Sequence, residues 1–398
     1  MNKFNNYFIR VFALVVLLIS SRVFSAAATS SEPPVVHTKV IMSQFLQQLE
    51  ALKKYMVSDA KFSDPKNTIE ISEHLKKFSE ISNAAMHDPQ LQLESFKLSR
   101  DVLVQHIHET EKVYREGNKS YARWMLNSTI YVCMSCHTQT PAADRRSLLT
   151  KDSKNYFSQF EQAEFLFASR NFSEASRTYD SIIRGMVKDK NFEVEKSLQR
   201  QVAYYARVKR NPAEAVKVFK GYLKLKNLSE YMRRDLLNWI NQFEKWQNDK
   251  SFNLATATPD SVIQFAKTNL EAANNLKIDS INPNLVNYLR VSGVLYEFLQ
   301  NYPDSKVTPQ ILYWLAVCDR SIERNFFFSL ADMYLRECIT KYPADPVAKK
   351  CYAEYEKETV LGYSGSRGVD VPLSVRQELN ALKEFVESGG KIKLDLKK

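Results

Sequence analysis

The chain has 398 residues, 44% of them hydrophobic, which is length enough for two or three domains with sizeable cores. Its net charge of +11 divides into +3 over residues 1–26, zero over 27–145 and +8 over 146–398. No arginine-rich arm and no basic stripe interleaved with aromatics is present, so nucleic acid is a poor partner.

The first 27 residues read as a secretory signal peptide. Lys3 and Arg10 precede a nine-residue apolar run, Val11–Ile19, which is too short to span a bilayer. The stretch "SRVFSAAATS" then supplies small residues for cleavage between Ser25 and Ala28. Arg22 lies unusually close to that point, and an uncleaved anchor is the alternative. The mature chain is expected in the periplasm with no transmembrane span.

Residues 27–36 ("AATSSEPPVV") read as a linker, and a domain of four helices is expected over 37–145. The first helix sets Met42, Phe45, Leu49, Leu52 and Met56 at spacings of 3, 4, 3 and 4, one apolar stripe. The second runs from about Asn67 to Ala84 with Ile71, Leu75, Phe78 and Ile81 on its stripe. The third, from about Leu91 to Arg115, uses Phe96, Leu103, Ile107 and Tyr114. After the turn "EGNK" the fourth begins near Ser120, runs into "CMSCH", and is ended by Pro141. Helices of this length with short connections favour an antiparallel four-helix bundle.

Cys133-Met134-Ser135-Cys136-His137 is the C-x-x-C-H pattern used for c-type haem attachment, and five Cys and six His would produce it by chance on the order of once in a thousand such chains. Two thiols spaced by one helical turn add across the haem vinyl groups, and the histidine that follows supplies the proximal imidazole. A thioredoxin-type dithiol wants a βαβ setting, absent from these helical flanks. A zinc site needs two further ligands at fixed spacing, and no second pair is near. One covalently attached haem c is therefore expected on Cys133 and Cys136, with His137 on the iron.

"EGNKSYARWMLNSTIYVCMSCH" resembles the last helix of the cytochrome c′ family, and with the three preceding helices the resemblance covers about residues 37–145. It implies thioether bonds at Cys133 and Cys136, proximal ligation by His137 and, in many members, a homodimer built on the first two helices. Members usually follow the histidine with an aromatic and a basic residue, whereas "TQTPAADRR" follows here. In low-spin relatives the first helix supplies a methionine as sixth ligand, which makes Met42 the candidate distal ligand; an ordinary core methionine is the alternative. His106 and His108 are weaker candidates for that position, and His37, His74 and His87 are expected to be solvated. Phe45, Trp124 and Tyr131 either pack on the porphyrin or belong to the core.

Beyond residue 145 the pattern changes, and a helical-repeat domain is expected over 153–360. "RNFSEASRTYDSII" (170–183) aligns on "RNPAEAVKVFKGYL" (210–223), and "LYEFLQNYPDS" (295–305) on "LRECITKYPAD" (335–345), each at an offset of 40. Helix pairs of this kind cannot bury their apolar sides alone and stack into a solenoid. The small-residue and aromatic spacing resembles tetratricopeptide repeats, although that family's usual period is shorter and residues 245–285 fit poorly. Cys338 and Cys351 bracket the "YPADP" turn and either form a disulfide or stay as buried thiols. Residues 361–398 read as a loop, a short helix and a basic tail.

The fold expected is thus all-α: a four-helix bundle with attached haem, then an α-solenoid. No acid/base pair, nucleophile arrangement or phosphate loop appears in 146–398, so an enzyme is not expected. Electron transfer with a redox partner protein, docked through the repeat domain, is the leading function. The alternatives are a five-coordinate haem that binds nitric oxide or carbon monoxide, and a periplasmic scaffold whose haem is structural.

Overall fold

Local sequence sets the helix ends. Ser158 and Glu161 form a reciprocal capping box, and Asn118, Asn211 and Ser229 each accept a backbone N–H of the first turn that follows them. Such caps contribute about 1 kcal/mol each by satisfying donors that the helix leaves open. The computed structural model describes residues 34–139, 141, 157–185, 191–274, 283–323, 329–366 and 368–394. The expected signal peptide lies outside them, as does most of the segment between the two expected domains. Over the described residues the chain is all-α: helices, single 3₁₀ and π turns, and one hairpin of two-residue strands, β1 (Ser364–Gly365) and β2 (Gly368–Val369).

The first region comprises α1 (Pro34–Met56), the short α2 (Asp59–Ser63), α3 (Thr68–Ala85), α4 (Glu94–Arg115) and α5 (Lys119–His137). Helix α1 starts inside the stretch expected to be a linker. Helix α2 was not expected; Ser58 caps it and it buries Phe62 against Tyr114. Helix α5 stops at His137, short of Pro141, with the Thr138 N–H on the Met134 carbonyl and the Gln139 N–H on the Cys136 carbonyl. Helix α1 packs on α3, α3 on α4, α4 on α5, and α5 returns to α1. Phe45, Leu49, Leu52, Ile71, Leu75 and Phe78 are buried between them, each worth roughly 1.5–3 kcal/mol of apolar burial.

The downstream region runs through α6 (Gln159–Ala168), α7 (Phe172–Arg184), α8 (Asn191–Ala203), α9 (Pro212–Tyr222), α10 (Glu230–Asn248), α11 (Pro259–Asn274), α12 (Leu285–Asn301), α13 (Thr308–Glu323), α14 (Ala331–Lys341), α15 (Ala348–Gly362) and α16 (Leu373–Glu387). Most of these helices pack on the next in sequence. The two aligned "RN" stretches share a local geometry: Arg170 and Arg210 both take positive φ (65° and 49°), and Ala175 and Ala215 are fully buried. The "YP" stretches also match, with Tyr302 and Tyr342 closing their helices on the Phe298 and Cys338 carbonyls. Cys338 and Cys351 form a disulfide, their Cα atoms 6.4 Å apart, so the bridge is one of the two outcomes that the sequence left open.

The two regions share apolar surface. Leu98 and Val102 of α4, with Val132 and Met134 of α5, belong to the downstream core, while Ile107, Met125 and Leu126 face the first region's own core. Helices α4 and α5 are therefore buried on two sides. Lys97–Glu337 (3.0 Å) and Lys341–Glu94 (2.8 Å) join α4 to α14 across the seam. Among the described residues no helix is long and apolar enough to cross a membrane.

Candidate functional site

Where α1 and α4 begin and α3 and α5 end, the first region leaves a cavity with about 860 Å³ of empty space, its open mouth included. Met42, Phe45, Leu46 and Leu49 of α1 line one side, with Phe78 and Ala85 of α3. Leu103 of α4 and Ile130, Val132, Cys133, Cys136 and His137 of α5 line others. The four residues singled out from sequence, Met42, Cys133, Cys136 and His137, thus meet at one cavity although Met42 comes from the opposite end of the domain.

Met42 is half-buried, whereas Phe45 and Leu49, which line the same wall, are buried. Phe45, expected on the cofactor or in the core, lines the cavity and also meets Phe78 edge to face at 5.4 Å. Trp124 and Tyr131 correct the expectation. Neither lines the cavity; Trp124 is 61% exposed and stacks on Tyr121, and Tyr131 lies under the Arg200 guanidinium. The buried face of α5 is instead that of Ala122, Met125, Leu126, Thr129 and Val132.

His74, His87, His106 and His108 do not line the cavity. His106 Nε2 bonds the Met125 carbonyl at 2.8 Å, and burial holds its pKa below the usual value. His108 pairs with Ser79 (2.6 Å) and Asn83. His74, expected to be solvated, is half-buried and bonds Gln48, while His87 is exposed as expected. His37's side chain lies outside the described part.

His137 Nδ1 lies 2.6 Å from the carbonyl oxygen of Ala168. A carbonyl only accepts, so Nδ1 carries the proton and the ring's lone pair is on Nε2, the tautomer that a metal requires of a ligating imidazole. The last turn of α6 makes this contact, and the same helix adds Phe165 and Ala168 to the cavity wall, followed by Ser169. The end of α5 is tied a second time from downstream. Arg207, carried on the π turn Tyr204–Val208, donates to Ser292 Oγ (2.6 Å) and reaches Thr138 Oγ1 (3.5 Å). The haem domain was expected over 37–145, and Phe165, Ala168 and Ser169 beyond it also line the cavity.

Burial pushes the Cys133 thiol up to about 12, reinforced by Cys136, and the Cys136 thiol up to about 11 against the pull of Arg170. A reactive dithiol has a lowered pKa, so these thiols are not arranged for disulfide exchange in solution.

Arg100 was missed from sequence. It sits on the apolar stripe of α4, four residues after Phe96 and three before Leu103, and a charge at such a position was the available signal. It is buried, lines the cavity, and donates through Nε (2.9 Å) and Nη2 (2.6 Å) to a single oxygen of Asp101. Nη1 is buried with no hydrogen-bond partner. An unmet buried donor costs about 1–3 kcal/mol.

Comparison with protein-family models, with curated proteins and with solved structures finds no match for this chain.

Proposed function

We propose that the chain is an exported, periplasmic, monohaem c-type cytochrome that transfers electrons. In this reading the four long helices of the first region make a cytochrome c′-like bundle. The downstream helices make a tetratricopeptide-like array on which a redox partner protein docks. One observation carries the reading: a single apolar cavity gathers Cys133, Cys136, His137 and Met42, with the His137 proton committed to Ala168.

The residues suit a haem in three respects. Two cysteines one turn apart on α5 hold a flat group by thioether bonds at the cavity wall, with no need of a reactive thiolate once the bonds are made. His137, locked as the Nδ1–H tautomer by the Ala168 carbonyl, offers Nε2 as the proximal donor and is kept from turning. Met42 would supply a soft, neutral sulfur to the iron, and the surrounding Phe, Leu and Ile side chains would exclude water, which would favour the less charged ferrous state. A bound haem supplies reversible one-electron chemistry at iron.

The test is full-length protein from a host competent in haem attachment. Its intact mass is expected to equal the processed polypeptide plus one haem, and the band is expected to stain for haem on a denaturing gel. A colourless protein of polypeptide mass overturns the reading. The reduced protein is expected to leave carbon monoxide unbound on mixing. Immediate binding would replace electron transfer by the five-coordinate, gas-binding alternative.

A further inference from the structure

We infer that Arg100 holds a carboxylate of the cofactor, so that the cavity has a charged end as well as a haem-bonding wall. The inference rests on the haem reading above. Haem carries two propionate groups, and a carboxylate drawn into an apolar cavity needs a buried cation and donors. Arg100 is the guanidinium in that wall, its side chain 4% exposed.

Its pairing with Asp101 accounts for only one edge. Nε and Nη2 both converge on Asp101 Oδ1, while the two N–H groups of Nη1 are buried without an acceptor. Arg320 on α13 likewise pairs with Glu354 and Glu358 and leaves Nε and Nη2 unmet, so what sets Arg100 apart is that its unmet edge belongs to a cavity wall. An acceptor arriving with the cofactor satisfies it, and a carboxylate makes the strongest partner for a guanidinium. Asp101 is half-buried, so it orients Arg100 while solvent screens part of its own charge. The other charged or titratable neighbours are accounted for: Lys97 is paired with Glu337, Glu94 with Lys341, His137 with the Ala168 carbonyl, and Arg170 acts on Cys136.

The experiment compares haem-loaded wild type with Arg100→Gln, Arg100→Lys and Asp101→Asn, reading the midpoint potential between about pH 5 and pH 8. Wild type and Arg100→Lys are expected to give a nearly flat profile, because a cation keeps the propionate ionised throughout. Arg100→Gln is expected to have a lower potential at the alkaline end, having lost a positive charge beside the iron. Its potential should then climb as the pH falls, because burial without a cation raises the propionate pKa into this range. Asp101→Asn, at a partly exposed position, is expected to raise the potential by leaving Arg100's charge less compensated. A profile unchanged in Arg100→Gln overturns the inference while leaving the haem reading intact. If Arg100→Gln yields no folded protein, an Asp101→Asn potential equal to wild type overturns it. A wild type that carries no haem removes both readings, and the mass measured first separates that case.

Discussion

Two buried guanidiniums, one in each region, are handled in opposite ways. Arg200 on α8 is 1% exposed and makes a two-pronged pair with Glu164 of α6, each contact 2.8 Å, while Tyr179 donates to the same carboxylate. Burial by itself would lower the Arg200 pKa, and the attraction of Glu164 more than reverses it. Arg100 on α4 is nearly as buried, yet one of its terminal nitrogens lacks a partner beside a cavity. The downstream core at Arg200 is closed on its own side chains. In the first region one edge of Arg100 is left without a protein acceptor beside the cavity. Arg320 downstream also leaves Nε and Nη2 unmet, so an unsatisfied buried cation is informative here because it lines a cavity and not because it is unsatisfied alone.

The strongest way to break the comparison is Glu164→Ala. Removing the carboxylate from a buried pair should cost about 3–5 kcal/mol in urea unfolding, because Arg200 loses the anion it was buried with. A cost below about 1 kcal/mol would show that the downstream pair is no tighter than a surface one. The substitution also loosens α6, so the His137 contact to Ala168 should weaken with it.

Next comes the disulfide. The double variant Cys338→Ser, Cys351→Ser closes no loop and should lose about 2–3 kcal/mol on unfolding, with a lower urea midpoint. Intact mass should rise by two hydrogens when the wild type is reduced, and an unchanged mass would remove the bridge. The first region has no such staple among its described residues.

Met42→Ala probes the cavity side of the comparison. Met42 is half-buried, so the stability loss is expected near the low end of a methionine truncation, about 2 kcal/mol. The larger consequence is spectroscopic: the reduced variant should bind carbon monoxide at once where wild type does not. Unaltered spectra would remove Met42 as a ligand.

The smallest effect is with pH. All six histidines lie at or before residue 137. Burial lowers the pKa of His106, and that of His74, so between the folded and unfolded values the unfolded chain binds more protons. Their contribution is fully present above about pH 6.5 and is lost as the pH falls from there toward the lowered folded values. Downstream, burial raises Asp249 but hydrogen bonds from Ser251 and Arg290 outweigh it and hold it at about 2. Its contribution is present above about pH 4 and is lost only as the pH falls toward 2. Hydrogen exchange followed by region should show α3–α5 losing protection at a higher pH than α10 and α12. Simultaneous loss would merge the two regions into one acid-labile unit.

What the chain carries locally was legible in it. The stripes of α1, α3 and α4, the "RN" and "YP" stretches and the C-x-x-C-H spacing each depend on residues within a turn or two of one another, where backbone preference and side-chain spacing act directly. The faces were less so: a period puts Trp124 and Tyr131 on one side of α5 without saying which side is buried, and packing buried the other. Helix α6 on the cavity, the Ala168 carbonyl on His137, Arg207 at the end of α5 and the Cys338–Cys351 pairing were decided by which surfaces meet. Contacts across 31 and 69 residues, such as those of His137 and Thr138, exist only once distant helices have docked. Sequence fixed how each helix is made and where its chemistry hangs; the assembled fold determined what faces that chemistry, because burial and partner choice are properties of the packed whole.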